Sequence, residues 1–288
     1  MNMSSFFVRF IQLTKDLLTF EADQPISKQQ YIILERISSN NIIKYYRCKH
    51  RNGLQQVCVK ICRREKRYRY DGQEEILHEI NTLRRLKNQN IIHIQQYFIG
   101  KSYAGYEMEL MEGGNLQQWI EVHQYIPIEL FCIVSTQLLK ALHYIHSNEI
   151  VHRDITLHSI LLTTPNNFNS LKLTHFEQSF NVNEPIVDEH ITIDFHYAAP
   201  ELFRHYLYTF SADVWSLGIL LFKCFTSQYP FESTGKEELV KAILRGKVEF
   251  PLSLPSLFIK MERSLLNPNV DNRLSPKETL KILFQSQD

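Results

Sequence analysis

The chain has 288 residues and a mass of 34.1 kDa, enough for one large domain or two lobes with substantial cores. Its 32 Lys and Arg nearly balance 31 Asp and Glu, a formal net charge of +1, so no extended field draws nucleic acid or an anionic bilayer and neither is expected as a partner. Cys48, Cys58, Cys62, Cys132 and Cys224 form an odd set with no C-x-x-C pair, which argues against a zinc or disulfide framework and fits a reducing, cytoplasmic setting.

In chain order, Phe6, Phe7, Phe10, Leu13, Leu17 and Phe20 recur at helical spacing between Arg9, Lys15 and Asp16. This pattern predicts an amphipathic helix rather than a signal peptide, packed on the domain itself or on a partner. No run reads as the ~20 uncharged apolar residues of a membrane span. A polar linker to Gln30 closes an N-terminal extension, residues 1–30. Strands are expected at Tyr31–Ile37, Lys44–Cys48, Gln55–Cys62, Ile91–Phe98 and Ala104–Met111. A charged stretch at 63–70 leads into a helix over Gln73–Leu86, carried by Ile76, Ile80, Leu83 and Leu86.

Glu112-Gly113-Gly114 breaks this texture, and helical periodicity follows. Leu130, Ile133, Val134, Leu138, Leu139, Leu142 and Ile145 predict a core helix over Ile128–His146. Short apolar runs at Ile160–Leu162 and Leu171–Leu173 flank a polar turn. After an irregular segment, helices are expected at Ser211–Thr226, Lys236–Leu244, Ser256–Leu265 and Pro276–Phe284. A strand-rich front, 31–111, and a helix-rich back, 112–288, make an α+β chain of two lobes.

Val57-Cys58-Val59-Lys60, His152-Arg153-Asp154, Ala199-Pro200-Glu201, Asp213-Val214-Trp215-Ser216-Leu217-Gly218 and Arg273 stand in order at characteristic spacings. Over roughly residues 31–285 the sequence resembles the eukaryotic protein kinase family, of the Ser/Thr type. The resemblance implies a bilobal fold with a β-rich N-lobe and a mainly helical C-lobe. It makes Lys60 the residue that neutralises nucleotide phosphates, Glu79 its helix partner ahead of Glu75, and Asp154 the base that accepts a substrate hydroxyl proton. Tyr45, Cys58, Met108, Glu109, Met111 and Leu161 fall where the family lines its ATP pocket. His152 is expected to pack with Leu83, Ile94 and Phe176, and Glu201 to pair with Arg273.

Three departures concern one ligand, the metal-bound nucleotide. Ser159 stands where the family has a metal-binding asparagine, with Thr156 in place of a lysine. His175-Phe176-Glu177 replaces D-F-G, so the magnesium-holding aspartate is an imidazole, a poor ligand for a hard cation that prefers anionic oxygens. The glycine-rich loop becomes Ser38, Asn40, Ile43 and Tyr45, in a chain with only 9 glycines; side chains there obstruct the approach of phosphate to backbone N–H groups. Asp194 replaces a threonine near Asp154, and Thr192 is a candidate phosphosite near Arg153.

These residues predict a pseudokinase, a binding or allosteric module with weak ATP binding at most and no effective use of Mg2+. Its expected partners are proteins, an active kinase or another signalling protein among them. The competing expectations are an active Ser/Thr-type kinase with unusual metal use, supported by Lys60, Glu79 and Asp154, and an enzyme using the fold for another phosphate chemistry.

Overall fold

The computed structural model describes residues 30–39, 42–63, 73–100, 103–183, 194–205 and 208–285. The expected helix at 6–20, most of the charged stretch at 63–70, Asn40 and Thr192 lie outside these. The chain divides into two compact units, one holding residues 31–87 and 92–111 and the other 88–91 and 112 onward.

The first unit is a five-stranded antiparallel sheet of β1 (Tyr31–Ser39), β2 (Ile43–His50), β3 (Gln56–Arg63), β4 (Ile94–Ile99) and β5 (Tyr103–Glu109), in the order β1-β2-β3-β5-β4. Central β3 is buried on both faces, which explains its unbroken Val-Cys-Val-Lys-Ile-Cys run. Because successive side chains alternate, Val57, Val59 and Ile61 share one face, and Cys58, Lys60 and Cys62 the other. Helix α1 (Gln73–Arg85) packs against β3, β4 and β5 through buried Ile76, Ile80 and Leu83. Each side chain so buried contributes roughly 1.5–3 kcal/mol.

The second unit is built around α3 (Phe131–Ser147), preceded by α2 (Leu116–His123). Strands β6 (Ile150–Val151) and β9 (Phe180–Asn181) pair, as do β7 (Ile160–Leu162) and β8 (Leu171–Leu173). Helices α4 (Pro200–His205), α5 (Phe210–Thr226), α6 (Lys236–Arg245), α7 (Ser256–Leu265) and α8 (Pro276–Phe284) complete it. Phe131, Phe225 and Phe258 meet edge to face in its core, at centroid distances of 5.7–6.4 Å. Helix α6 stops at Gly246, whose φ of 63° suits a residue without Cβ.

Two sequence expectations need correction. Helix α2 was not anticipated, although Asn115 and Gln118 close a reciprocal capping box at its start. A stretch of membrane-spanning length also exists: the turn at Ile128–Leu130 runs into α3, giving 20 residues with a mean hydropathy of 1.3 in its most apolar window. Glu129 and Lys140 are its only charges. Half of that window is buried within the protein, with Val134, Leu138, Leu139 and Leu142 in the core, as in the central helix of a globular unit.

Candidate functional site

In the sheet unit Tyr45, Cys58, Lys60, Glu79 and Met108 gather on the α1 face, whereas Glu109, paired with Val57, falls on the other. Lys60 Nζ lies 2.6 Å from Glu79 Oε2, and both side chains are at most 1% exposed. Strand register places Tyr45 directly opposite Lys60 on β2 and Tyr106 directly opposite it on β5. The ammonium accordingly stands over both rings, 5.5 Å from the centroid of Tyr45 and 5.6 Å from that of Tyr106. A buried charge survives only when it is paired, and here one carboxylate and two ring faces supply the compensation. Cys58 sits across from Met108, and burial pushes its thiol up to about 12, so it is an inert wall residue. Glu109 ends β5, and Met111 follows two residues on.

In the helical unit, Asp213 at the start of α5 organises the catalytic-loop backbone. Its buried carboxylate accepts the backbone N–H groups of His152 at 2.8 Å and Arg153 at 2.9 Å, and meets His146 Nε2 at 2.9 Å. His152 Nε2 bonds the Thr174 carbonyl at 3.0 Å, while Nδ1 accepts the Asp154 N–H at 3.2 Å. Full burial lowers the His152 pKa to about 4, so the ring is neutral and packs edge-on against Phe176 at 4.6 Å. Leu83 and Ile94, the other members of the expected stack, are each buried in the sheet unit.

Arg153 and His175 hold left-handed backbone conformations, with φ of 70° and 68°. Such strain costs on the order of 1 kcal/mol or more per residue and gathers at functional sites. Burial pushes the Asp154 carboxyl up to about 6, with His175 pulling it down and Glu177 and Asp194 adding to the rise. The Arg153 guanidinium lies 3.9 Å from the Phe180 centroid and 5.6 Å from that of Tyr208.

The positions at which metal ligands were expected have other engagements. The Ser159 hydroxyl donates to the Thr156 carbonyl at 2.9 Å and accepts the Thr156 N–H at 3.0 Å, which ties it into its own loop. His175 Nδ1 lies 3.4 Å from Glu177 Oε1. Ser159 also lends its carbonyl to the Thr174 N–H, joining the catalytic loop to the strand before His175. Leu161 lies in β7 opposite Lys172 and bridges to Asn115.

A scaffold in which an aspartate at a helix start holds the H-R-D backbone, with a lysine paired to a helix glutamate, agrees with a family comparison. The protein kinase domain model matches residues 31–284. The chain belongs to the protein kinase family. It is 28% identical over 249 residues to the Arabidopsis thaliana serine/threonine-protein kinase TIO, covering 86% of this chain and 18% of that one. It is 27% identical over 259 residues to CBL-interacting serine/threonine-protein kinase 15 of the same plant, covering 88% and 60%. It is 28% identical over 253 residues to serine/threonine-protein kinase 36 of Pongo abelii, covering 86% and 18%. The chain therefore spans between about a fifth and three fifths of the length of these relatives.

Tyr106 escaped the sequence reading, and so did the role of Asp213. Tyr106 contacts Lys60 through pairing between distant strands, which no local pattern announces. Asp213 was seen only as part of a family motif, and its three bonds reach back 60 residues or more.

Proposed function

We propose that this kinase domain works as a pseudokinase: a binding or allosteric module for a protein partner, with phosphoryl transfer lost or nearly so. The observation that carries the reading is the enclosure of Lys60, which is 1% exposed, bonded to Glu79 and faced by Tyr45 and Tyr106. A lysine that serves nucleotide phosphates has to meet them, and here the Tyr45 ring takes space beside the ammonium.

The metal positions support the same reading. Catalysis of phosphoryl transfer is almost wholly positioning and charge stabilisation, with metal bridging the β- and γ-oxygens. Ser159 spends its hydroxyl on Thr156, and His175 offers a nitrogen where an anionic oxygen is wanted, so the pair does not fit magnesium. Losing ~3–4 kcal/mol of that stabilisation costs about 10²–10³ in rate.

A second reading, a Ser/Thr-type kinase with unusual metal use, draws on the formed Lys60–Glu79 pair, on Asp154 in the base position and on the serine/threonine-protein kinases among its relatives. Thermal denaturation with millimolar ATP, alone and with Mg2+ or Mn2+, tests the proposal. Little or no shift is expected under all three conditions. A large metal-dependent shift, joined to phosphorylation of a generic substrate that Asp154→Asn abolishes, would install the second reading.

A further inference from the structure

The order β1-β2-β3-β5-β4 leaves the sheet two edges, and they are built differently. Edge strand β1 carries Glu35 and Arg36 and breaks its register twice, both of them devices that keep an edge from pairing. Edge strand β4, Ile-Gln-Gln-Tyr-Phe-Ile, has no charged residue and no proline. Its one irregularity falls between Ile94 and Gln96, so residues 96–99 run straight against β5. Tyr97 and Ile99 are 43% and 51% exposed, two large apolar side chains on the same side of the sheet. The backbone of this edge is open as well. The Gly100 N–H donates to the Tyr103 carbonyl at 2.8 Å, and by alternation Phe98 and Gln96 also aim their peptide groups at β5, opposite Gly105 and Glu107. The N–H and C=O of Tyr97 and Ile99 therefore point away from the sheet, and among the described residues nothing bonds to them.

We propose that β4 is a self-pairing edge, to which a second copy of this chain adds its own β4 antiparallel, about a two-fold axis at Phe98. Two conditions fix the register. Residues opposite one another must lie on the same side of the continuous sheet, and outward peptide groups must meet outward peptide groups. Tyr97 opposite Ile99 of the second copy, with Ile99 opposite its Tyr97, satisfies both, and Phe98 then faces Phe98 across the axis. An axis at Tyr97 would satisfy them too, but it sets Ile99 against Gln95, where the bulge breaks the strand. The favoured register opposes an aromatic to a β-branched side chain twice, a stabilising cross-strand pair, and brings no like charges together. A foreign peptide would meet the same peptide groups, but it is the match of this segment to itself that selects a second copy. The interface is isologous, and a ladder this short makes a weak, reversible dimer rather than an obligate one.

Sedimentation of the full chain over a concentration series reads the association. A reversible dimer is expected. Ile99→Pro removes an outward N–H and leaves the bonds to β5 whole, so it should raise the dimer dissociation constant at least about tenfold with little change in melting temperature. Ile99→Lys is a second variant that spares the backbone. Its ammonium would stand opposite Tyr97 of the second copy, where the Arg84 guanidinium lies 4.5 Å from the ring centroid, and the like charges should weaken the dimer as much. Trapping reads the register. In a Cys132→Ser background, which removes the one cysteine that is not buried, Tyr97→Cys combined with Ile99→Cys should link two chains on oxidation, since opposed residues of this kind stand ~5.5 Å apart at Cα. Either single cysteine variant should stay unlinked, because neither residue meets its own copy. A chain that remains a monomer at its highest soluble concentration overturns the proposal and leaves the edge to an extended segment of another protein. A dimer that both Ile99 variants leave intact, or one that a single cysteine variant traps as well as the double, overturns it too.

Discussion

Tyr45 and Lys60 stand directly opposite one another on β2 and β3, with the ammonium 5.5 Å from the centre of the tyrosine ring. On the proposed reading Tyr45 stands at the family's adenine-roofing valine, and its extra bulk would fall at the nucleotide seat. Tyr45→Val should therefore open space there while removing a cation–ring contact worth about 0.5–2 kcal/mol. The expected result is a slightly lower melting temperature without nucleotide and a new upward shift with millimolar ATP. At a hundredfold excess over Kd that shift corresponds to ~2.7 kcal/mol. Isothermal titration with ATP checks it, and equal silence of parent and variant would remove occlusion as the cause.

Glu262 on α7 is a carboxyl with neither oxygen bonded, fully enclosed in the helical unit. Burial raises its pKa well above the ordinary value, which favours the protonated form in the folded state. The sign follows from linkage. The folded state holds the proton more tightly than the unfolded chain, so stability is greatest below pH ~4.5 and falls as pH rises. Glu262→Met, similar in volume and without polar atoms, should gain about 1–3 kcal/mol at pH 7.5. Urea midpoints of parent and variant at pH 7.5 and 5 should diverge at the higher value and converge at the lower.

Glu262 also shows where reading the sequence stops. The helix over Ser256–Leu265 was legible, but Glu262 lies beside its buried Phe258, Met261 and Leu265 and is drawn inside by packing that only the assembled unit supplies. Lys60, Glu79 and the strands around them were legible because five short motifs fix one register over the whole chain. The Lys60 enclosure was half legible: Tyr45 sits in the motif, whereas Tyr106 comes from a pairing 46 residues away in sequence. Ser159 was recognised as a departure by its position, yet the direction of its hydroxyl, toward Thr156, is a rotamer choice set by the loop's own donors and acceptors.

Arg273 holds Glu201 by two parallel bonds, Nη1–Oε1 at 2.7 Å and Nη2–Oε2 at 3.0 Å, and also donates to the carbonyls of Ser211 and Asn267. The pair is buried and ties α4, the start of α5 and the turn before α8 together. Arg273→Leu leaves a carboxylate and two carbonyls without their donor, a loss of ~3–5 kcal/mol. A drop of ten degrees or so in melting temperature is expected from ~2–4 °C per kcal/mol in a domain of this size. Arg273→Lys should recover only part of it, since an ammonium cannot make the forked contact.

Asp154 sets a pH dependence of its own. Its folded pKa of about 6 exceeds the ordinary 3.8, so the folded state binds a proton that the unfolded chain has released between those values. Stability from this group is present below pH 3.8, declines as pH rises through 6, and is constant above. Asp154→Asn removes the slope and should be more stable than the parent by about 2 kcal/mol at pH 7.5, after allowance for partial exposure. The advantage should shrink at pH 4.5. Denaturant titrations at the two pH values decide, and an advantage that does not change with pH would assign the rise to something other than this carboxyl.

Ser159 and His175 carry the last prediction, because the two family metal positions should act together. Restoring one ligand leaves the other side of the same metal–nucleotide complex without an anionic or amide oxygen, so either single change should do little. Ser159→Asn combined with His175→Asp should create magnesium-dependent ATP binding beyond the sum of the singles, a coupling of ~0.5–3 kcal/mol between sites that share a ligand. Recovery should be partial, since Tyr45 still stands beside Lys60 and Ser38 and Ile43 still occupy glycine positions. Adding Tyr45→Val should extend it. The measurement is ATP affinity at 10 mM Mg2+ and in EDTA for the parent, both singles, the double and the triple variant, with the concentration set at roughly a hundredfold excess over Kd where binding permits. If the double variant stays blind to nucleotide while Tyr45→Val alone binds it, the enclosure of Lys60 is the primary lesion. If the double binds in EDTA as well as in Mg2+, the restored side chains act on the pocket rather than through a metal, and the metal-based explanation is withdrawn.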